Sequence, residues 1–149
     1  MIFLHFVLVF LLPWIVGICH LYKKDKQVIP LVGPAFSILA FTINEFGFYF
    51  GFWEVFPFPE QKTLSALLFN LGVYPVLASY LIYFIKKYKH PVLFVFLMTF
   101  VTTLLESIYV YYGMVSYGNG WNSFYTFFSY LVPYGLIYLY HIYLKRIVL

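Results

Sequence analysis

The chain has 149 residues, 64% of them hydrophobic and 9% charged, with a mean hydropathy of +0.89. Soluble domains carry about 25% charged residues, so too little polar surface is present here to cover a globule in water. The net charge of +4 comes from lysines clustered beside apolar runs, which argues against a nucleic-acid partner, and the single Cys19 excludes a disulfide framework or a Cys-based zinc site.

The pattern predicts one all-α transmembrane domain of five helices, with spans at about 2–22, 28–52, 64–85, 91–113 and 123–144. The first span is closed by Lys23, Lys24 and Lys26. Its charges follow the apolar run and no small-x-small cleavage site appears, so it reads as a retained helix rather than a signal peptide. The second span tolerates Pro30 in its first turn and carries small residues on one face, Gly33, Ser37, Ala40 and Gly47, a seam for close helix packing. A polar, proline-containing loop from Trp53 to Thr63 leads to the third span, which ends at Lys86-Lys87. The fourth span leads through a Gly/Asn-rich loop, Met114–Asn122, to the fifth, which ends at Lys145-Arg146.

Five spans place every Lys and Arg except Lys62 on one face. The positive-inside rule makes that face cytoplasmic, with the N-terminus outside and the C-terminus inside. Trp53, Trp121, Tyr111, Tyr112 and Tyr117 then fit an outer aromatic belt. An internal likeness joins the hairpins 28–87 and 91–146: Glu45…Gly51 and Tyr74-Pro75 in one, Glu106…Gly113 and Val132-Pro133 in the other. Both run in the same sense, so the relation is a parallel repeat about an axis along the membrane normal.

Two carboxylates stand inside the apolar runs, Glu45 and Glu106. Counted down from the belt, each lies roughly 10–12 Å deep at helical rise, so they are expected to share a level in the outer half of the membrane. Thr99, Thr103, Glu106 and Tyr109 form one polar stripe on the fourth span, and Asn70 and Tyr74 reach a similar depth on the third, with Asn44 beside Glu45 on the second. A charge at mid-span costs about 2.5–3.5 kcal/mol on insertion scales, whereas an interhelical hydrogen bond returns only about 0.6 kcal/mol. Holding helices together is thus a weak reason to keep a carboxyl there. The expected site is Glu45, Glu106, Asn70, Asn44, Tyr74, Thr103 and Tyr109, binding or passing a proton, a small cation or a small polar solute. A membrane-embedded enzyme that protonates a prenyl or polyene lipid from Glu106, and a structural or assembly role in the cell envelope, are the alternatives.

Prolines 13, 75 and 133 fall within spans and free the carbonyls of Val9, Leu71 and Ser129. His20, His90 and His141 read as interfacial anchors beside lysines, and His5 as an isolated residue near the outer end. Walker, dinucleotide-binding, zinc-protease and nucleophile-elbow motifs are absent. No cofactor or metal is expected. Five spans seldom make a complete transporter, so a homo-oligomer or a membrane partner subunit is expected alongside the lipid bilayer.

Tyr74-Pro75-Val76-Leu77, then Glu106 followed by Gly113, Tyr117-x-x-x-Trp121 and the Ser123-Phe124-Tyr125 start of the last span form a recognisable set. Over roughly residues 44–146 the chain resembles an uncharacterised family of small multi-spanning membrane proteins of endospore-forming bacteria. The resemblance implies a "YP" helix with Pro75, a helix with one intramembrane Glu at Glu106, and a Trp-bearing loop with Trp121 as signature positions. It also implies a link to sporulation. The loop Glu54–Lys62 is more acidic and proline-rich than the family pattern, which leaves Glu60 without a counterpart.

Overall fold

The computed structural model describes residues 1–148. Four helices are long and apolar enough to cross a membrane: α1 (Ile2–Lys24), α2 (Val28–Tyr49), α3 (Lys62–Tyr88) and α4 (Pro91–Tyr111). A fifth, α5 (Ser123–Ile147), has 25 residues, ~37 Å at helical rise. Its tyrosines, among them Tyr130, Tyr134, Tyr138 and Tyr140, hold its hydropathy below that of the other four. The loops expected to be irregular contain two short strands, β1 (Trp53–Val55) and β2 (Val115–Tyr117), which pair antiparallel with Glu54 opposite Ser116. The molecule is all-α apart from this two-stranded sheet.

Helices α2 and α4 stop earlier than their apolar runs predict, at Tyr49 and Tyr111 rather than near 52 and 113. The cause is the same at both ends. Gly51 (φ +67°) and Gly113 (φ +71°) adopt the left-handed conformation that glycine reaches without steric cost. Around them the backbone bonds coincide in pattern. Gly51 N donates to Phe48 O and Phe52 N to Gly47 O, while Gly113 N donates to Val110 O and Met114 N to Tyr109 O. Each is a Schellman cap that turns the chain into its strand. The pairing Trp53–Tyr117, Glu54–Ser116, Val55–Val115 is symmetric about its centre, so the two caps and strands are related by a local two-fold axis.

Helix α2 packs chiefly on α3 and α4 chiefly on α5, while α1 lies against α3. The core between the two hairpins is built on Tyr134, stacked on Phe36 at 5.1 Å, with Leu81, Ile82 and Ile137 around them. The α1–α3 contact is close because Gly72 presents no side chain: a Cβ there would stand 2.4 Å from Val9 O. Both helices have a π-helical turn at this level, Val7–Leu11 and Phe69–Val73, each just before a proline. The carbonyl of Leu71, denied its usual donor by Pro75, accepts from the indole N–H of Trp14 at 2.7 Å. At the far end of the bundle Lys86 pairs with Asp25, tying the α1–α2 turn to α3.

Candidate functional site

Glu106 stands one and a half turns before the end of α4 and faces the interior between the hairpins. Three hydroxyls converge on it. Tyr117, at the end of β2, donates to Oε1 at 2.6 Å, Thr126 from α5 reaches the same oxygen at 3.3 Å, and Tyr130, one turn further along α5, donates to Oε2. The network extends outward: Tyr74 of α3 bonds Tyr130 at 2.9 Å, Thr126 bonds the Tyr117 hydroxyl at 2.9 Å, and the Trp121 indole donates to Thr126 Oγ1 at 2.9 Å. With Tyr130 donating to the carboxyl, its oxygen is left to accept from Tyr74. The tyrosine hydrogens therefore run towards Glu106, while the single Thr126 hydrogen is shared between the carboxyl and the Tyr117 hydroxyl. Burial, together with the neighbouring Glu106 carboxylate, pushes the Tyr117 phenol above its ordinary value, so it remains a donor. Among the described residues the ion pairs are Lys62–Glu54, 3.2 Å, and Lys86–Asp25, so no cation of the chain neutralises Glu106.

The local two-fold relates Glu106 not to Glu45 but to Asn44, since each stands seven residues before its cap glycine. Asn44 is held in the corresponding way, by one group from the strand and one from the following helix. The Trp53 indole donates to Asn44 Oδ1 at 3.0 Å, and Asn44 Nδ2 donates to Asn70 Oδ1 of α3 at 2.7 Å. Trp53 reaches Asn44 because Gly47 leaves room for its ring, which occupies the place a side chain would take.

Between these two stations lies a cavity of about 300 Å³. Its wall is largely apolar, from Phe36, Ala40, Phe69, Val73 and Leu77, with Glu106, Asn44, Tyr74, Tyr109 and Tyr130, beside Thr102 and Ser129, as the polar positions. The strand pair covers one end, through Val55 and Val115 with Trp53 and Trp121, whose rings meet edge to face at 4.9 Å. Leu8 of α1 and Leu105 of α4 also line it and are 46% and 42% exposed, so both side chains touch the cavity and the outer surface. His5 is buried among Phe56, Phe69 and Tyr109 at 5.5, 5.3 and 5.9 Å, and neither ring nitrogen has a partner.

The predicted site residues therefore divide. Glu106, Asn44, Tyr74 and Tyr109 line the cavity, as does Trp121, expected as a signature position. Asn70 is buried behind Asn44, with its own Nδ2 left without a partner. Thr103 is buried but spends its hydroxyl on the Thr99 carbonyl of its own helix, and Pro75 is buried in the α3 backbone next to Gly33. Glu45 does not belong. It is exposed on the outer face of α2 and accepts from Thr63 at 2.6 Å. One residue along a helix turns a side chain by ~100°, which carries Glu45 off the face that Asn44 occupies. The expected meeting of two carboxylates is corrected to one carboxylate facing one amide.

Tyr117, Thr126 and Tyr130 are missing from the sequence-based site, and Trp53 and Trp121 appear there as belt residues although they turn inward. Tyr111 and Tyr112 do remain on the exterior, 84% and 70% exposed. The usable signal was depth: Tyr130 and Glu106 lie at similar distances from the turn that joins their helices.

Fold and site together define an all-α bundle with membrane-spanning helices enclosing an apolar, aromatic-walled cavity with a single carboxylate. No protein-family model, curated protein or solved structure matches the chain.

Proposed function

We propose that the protein is a five-span component of a bacterial cytoplasmic membrane, with its lysine-rich end inside, that binds a small ligand at Glu106. The sporulation setting implied by the family resemblance belongs to the same proposal. The observation that carries it is the Glu106 carboxyl itself, set in the wall of a cavity with three hydroxyl donors and no counter-charge. Hydroxyl-to-hydroxyl bonds alone would join these helices at about 0.6 kcal/mol each, without the insertion cost of an acid. At the ~30 Å³ that a water molecule fills in the liquid, the cavity has room for on the order of ten non-hydrogen atoms. This is a scale for a small molecule rather than for a lipid chain at full length.

The test is to purify the full chain from its own membrane in mild detergent and identify released small molecules by mass spectrometry. A species retained by the wild type and by Glu45→Gln, and lost from Glu106→Gln, is the expected result. Identical profiles for wild type and Glu106→Gln would remove the site.

One feature favours a second reading, protonation of a prenyl or polyene substrate by Glu106. Aromatic faces on the cavity wall stabilise a cationic centre as it forms. That reading requires a changed lipid product profile in cells expressing Glu106→Gln, rather than loss of a bound molecule alone.

A further inference from the structure

The chemistry of the wall narrows the ligand. Glu106 presents two oxygens that already accept from Tyr117 and Tyr130, with Thr126 at 3.3 Å, and Asn44 is engaged through both its oxygen and its nitrogen. An anion would meet the carboxylate's charge. A solute rich in hydroxyls would leave them unpaired against Phe36, Phe69, Val73 and Leu77, at a cost of a few kcal/mol each. A bare metal ion needs six or so oxygen ligands, and among the described residues no three His, Cys, Asp or Glu side chains converge. A neutral hydrocarbon fits the walls but gives the acid no partner. What satisfies every surface is a positive charge spread over an apolar body, lying beside a carboxylate and against aromatic rings. Trp53, Trp121, Tyr74, Tyr109 and Tyr130 supply those rings around the one acid, the combination by which substituted ammonium groups are recognised.

Resting on the reading of Glu106 as a ligand site, we propose that the cavity binds a small lipophilic organic cation, a substituted ammonium of about ten non-hydrogen atoms. Its charged centre lies beside Glu106 and its body against the Trp53–Trp121 pair. It reaches the cavity from the bilayer, past Leu8 of α1 and Leu105 of α4, whose side chains touch both the cavity and the outer surface.

A matched pair of probes decides the matter: phenyltrimethylammonium and its isosteric hydrocarbon tert-butylbenzene, titrated calorimetrically into the full-length protein in nanodiscs, with empty nanodiscs subtracted. The expected result is a preference for the cation on the order of tenfold or more, abolished in Glu106→Gln while hydrocarbon binding persists. Size-exclusion profiles establish that the variant is folded. If it is not, Trp121→Leu, which keeps the acid, is expected to lower cation affinity severalfold and spare the hydrocarbon. Equal binding of both probes by the wild type overturns the cation assignment and leaves the Glu106 cavity standing. Binding of neither overturns the cavity reading as well, and a cation preference that survives both variants places the cation elsewhere and overturns the proposal.

Discussion

Replacing Gly47 by alanine sets two opposed effects against each other. In an ordinary helix interior the change is favourable by about 1 kcal/mol, because glycine carries the larger entropic cost. At Gly47 the new Cβ would stand 2.0 Å from Cζ2 and 2.3 Å from Cε2 of the Trp53 ring. Ordinary contact begins at 3.4 Å, so the indole must retreat by about 1.4 Å, and a rigid ring cannot bend its far end away. That displacement stretches the Trp53–Asn44 bond from 3.0 Å past the hydrogen-bonding limit and pulls Trp53 from its edge-to-face contact with Trp121. Overpacking of this kind costs about 1–3 kcal/mol and an orphaned polar group a similar amount, so, less the helix-propensity gain, the net expectation is a loss of about 3 kcal/mol. The assay is unfolding by titrated dodecyl sulfate in mixed micelles, with tryptophan emission as a second signal, expected to shift to the red. Gly135→Ala on α5 is the control, since a Cβ there meets nothing within 4 Å, and it should stabilise by about 0.5–1 kcal/mol. A Gly47→Ala protein as stable as the Gly135→Ala protein, with unshifted emission, would refute the account of how the cavity is covered.

Asn44→Leu and Glu45→Gln, neighbours in sequence, should behave as opposites. The first strands the Trp53 indole N–H and the Asn70 carbonyl and should cost about 1–3 kcal/mol; the second touches an exposed group bonded only to Thr63 and should change stability by less than about 0.5 kcal/mol. Gly72→Ala should force α1 off α3, since its Cβ would stand 2.4 Å from Val9 O and 2.9 Å from Phe10 Cα, both backbone. A loss of about 1–3 kcal/mol, with quenching or shift of Trp14 emission as its bond to Leu71 opens, is the expected result in the same unfolding titration.

The helices were legible because apolar runs bounded by lysines admit few other readings. Their ends were less so. The runs continue past Tyr49 and Tyr111, and only the left-handed glycines reveal where the helix stops. The strands were not legible at all, since three residues carry no reliable period and Trp53 and Tyr117 lie far apart in the chain. The error over Glu45 had a local cause. Matching acid to acid overrode the better ruler, the cap glycine, from which Asn44 and Glu106 are equidistant. Tyr117 and Tyr130 are not marked as partners of Glu106 for a different reason: among 16 tyrosines, no spacing singles out the two that reach a carboxylate.

The close approach at Gly72 bears on how a guest comes and goes. The two hairpins are fastened to each other twice, by the paired strands at one end and by the two-residue link Lys89-His90 between α3 and α4 at the other. Parting them would tear one fastening. Helix α1 is held chiefly along α3, by the close contact at Gly72, the Trp14–Leu71 and His20–Tyr80 hydrogen bonds and the Asp25–Lys86 tether at its end. On the proposed reading of Glu106 as a ligand site, loosening the α1–α3 contact, as Gly72→Ala does, is expected to shorten the residence time of a bound molecule.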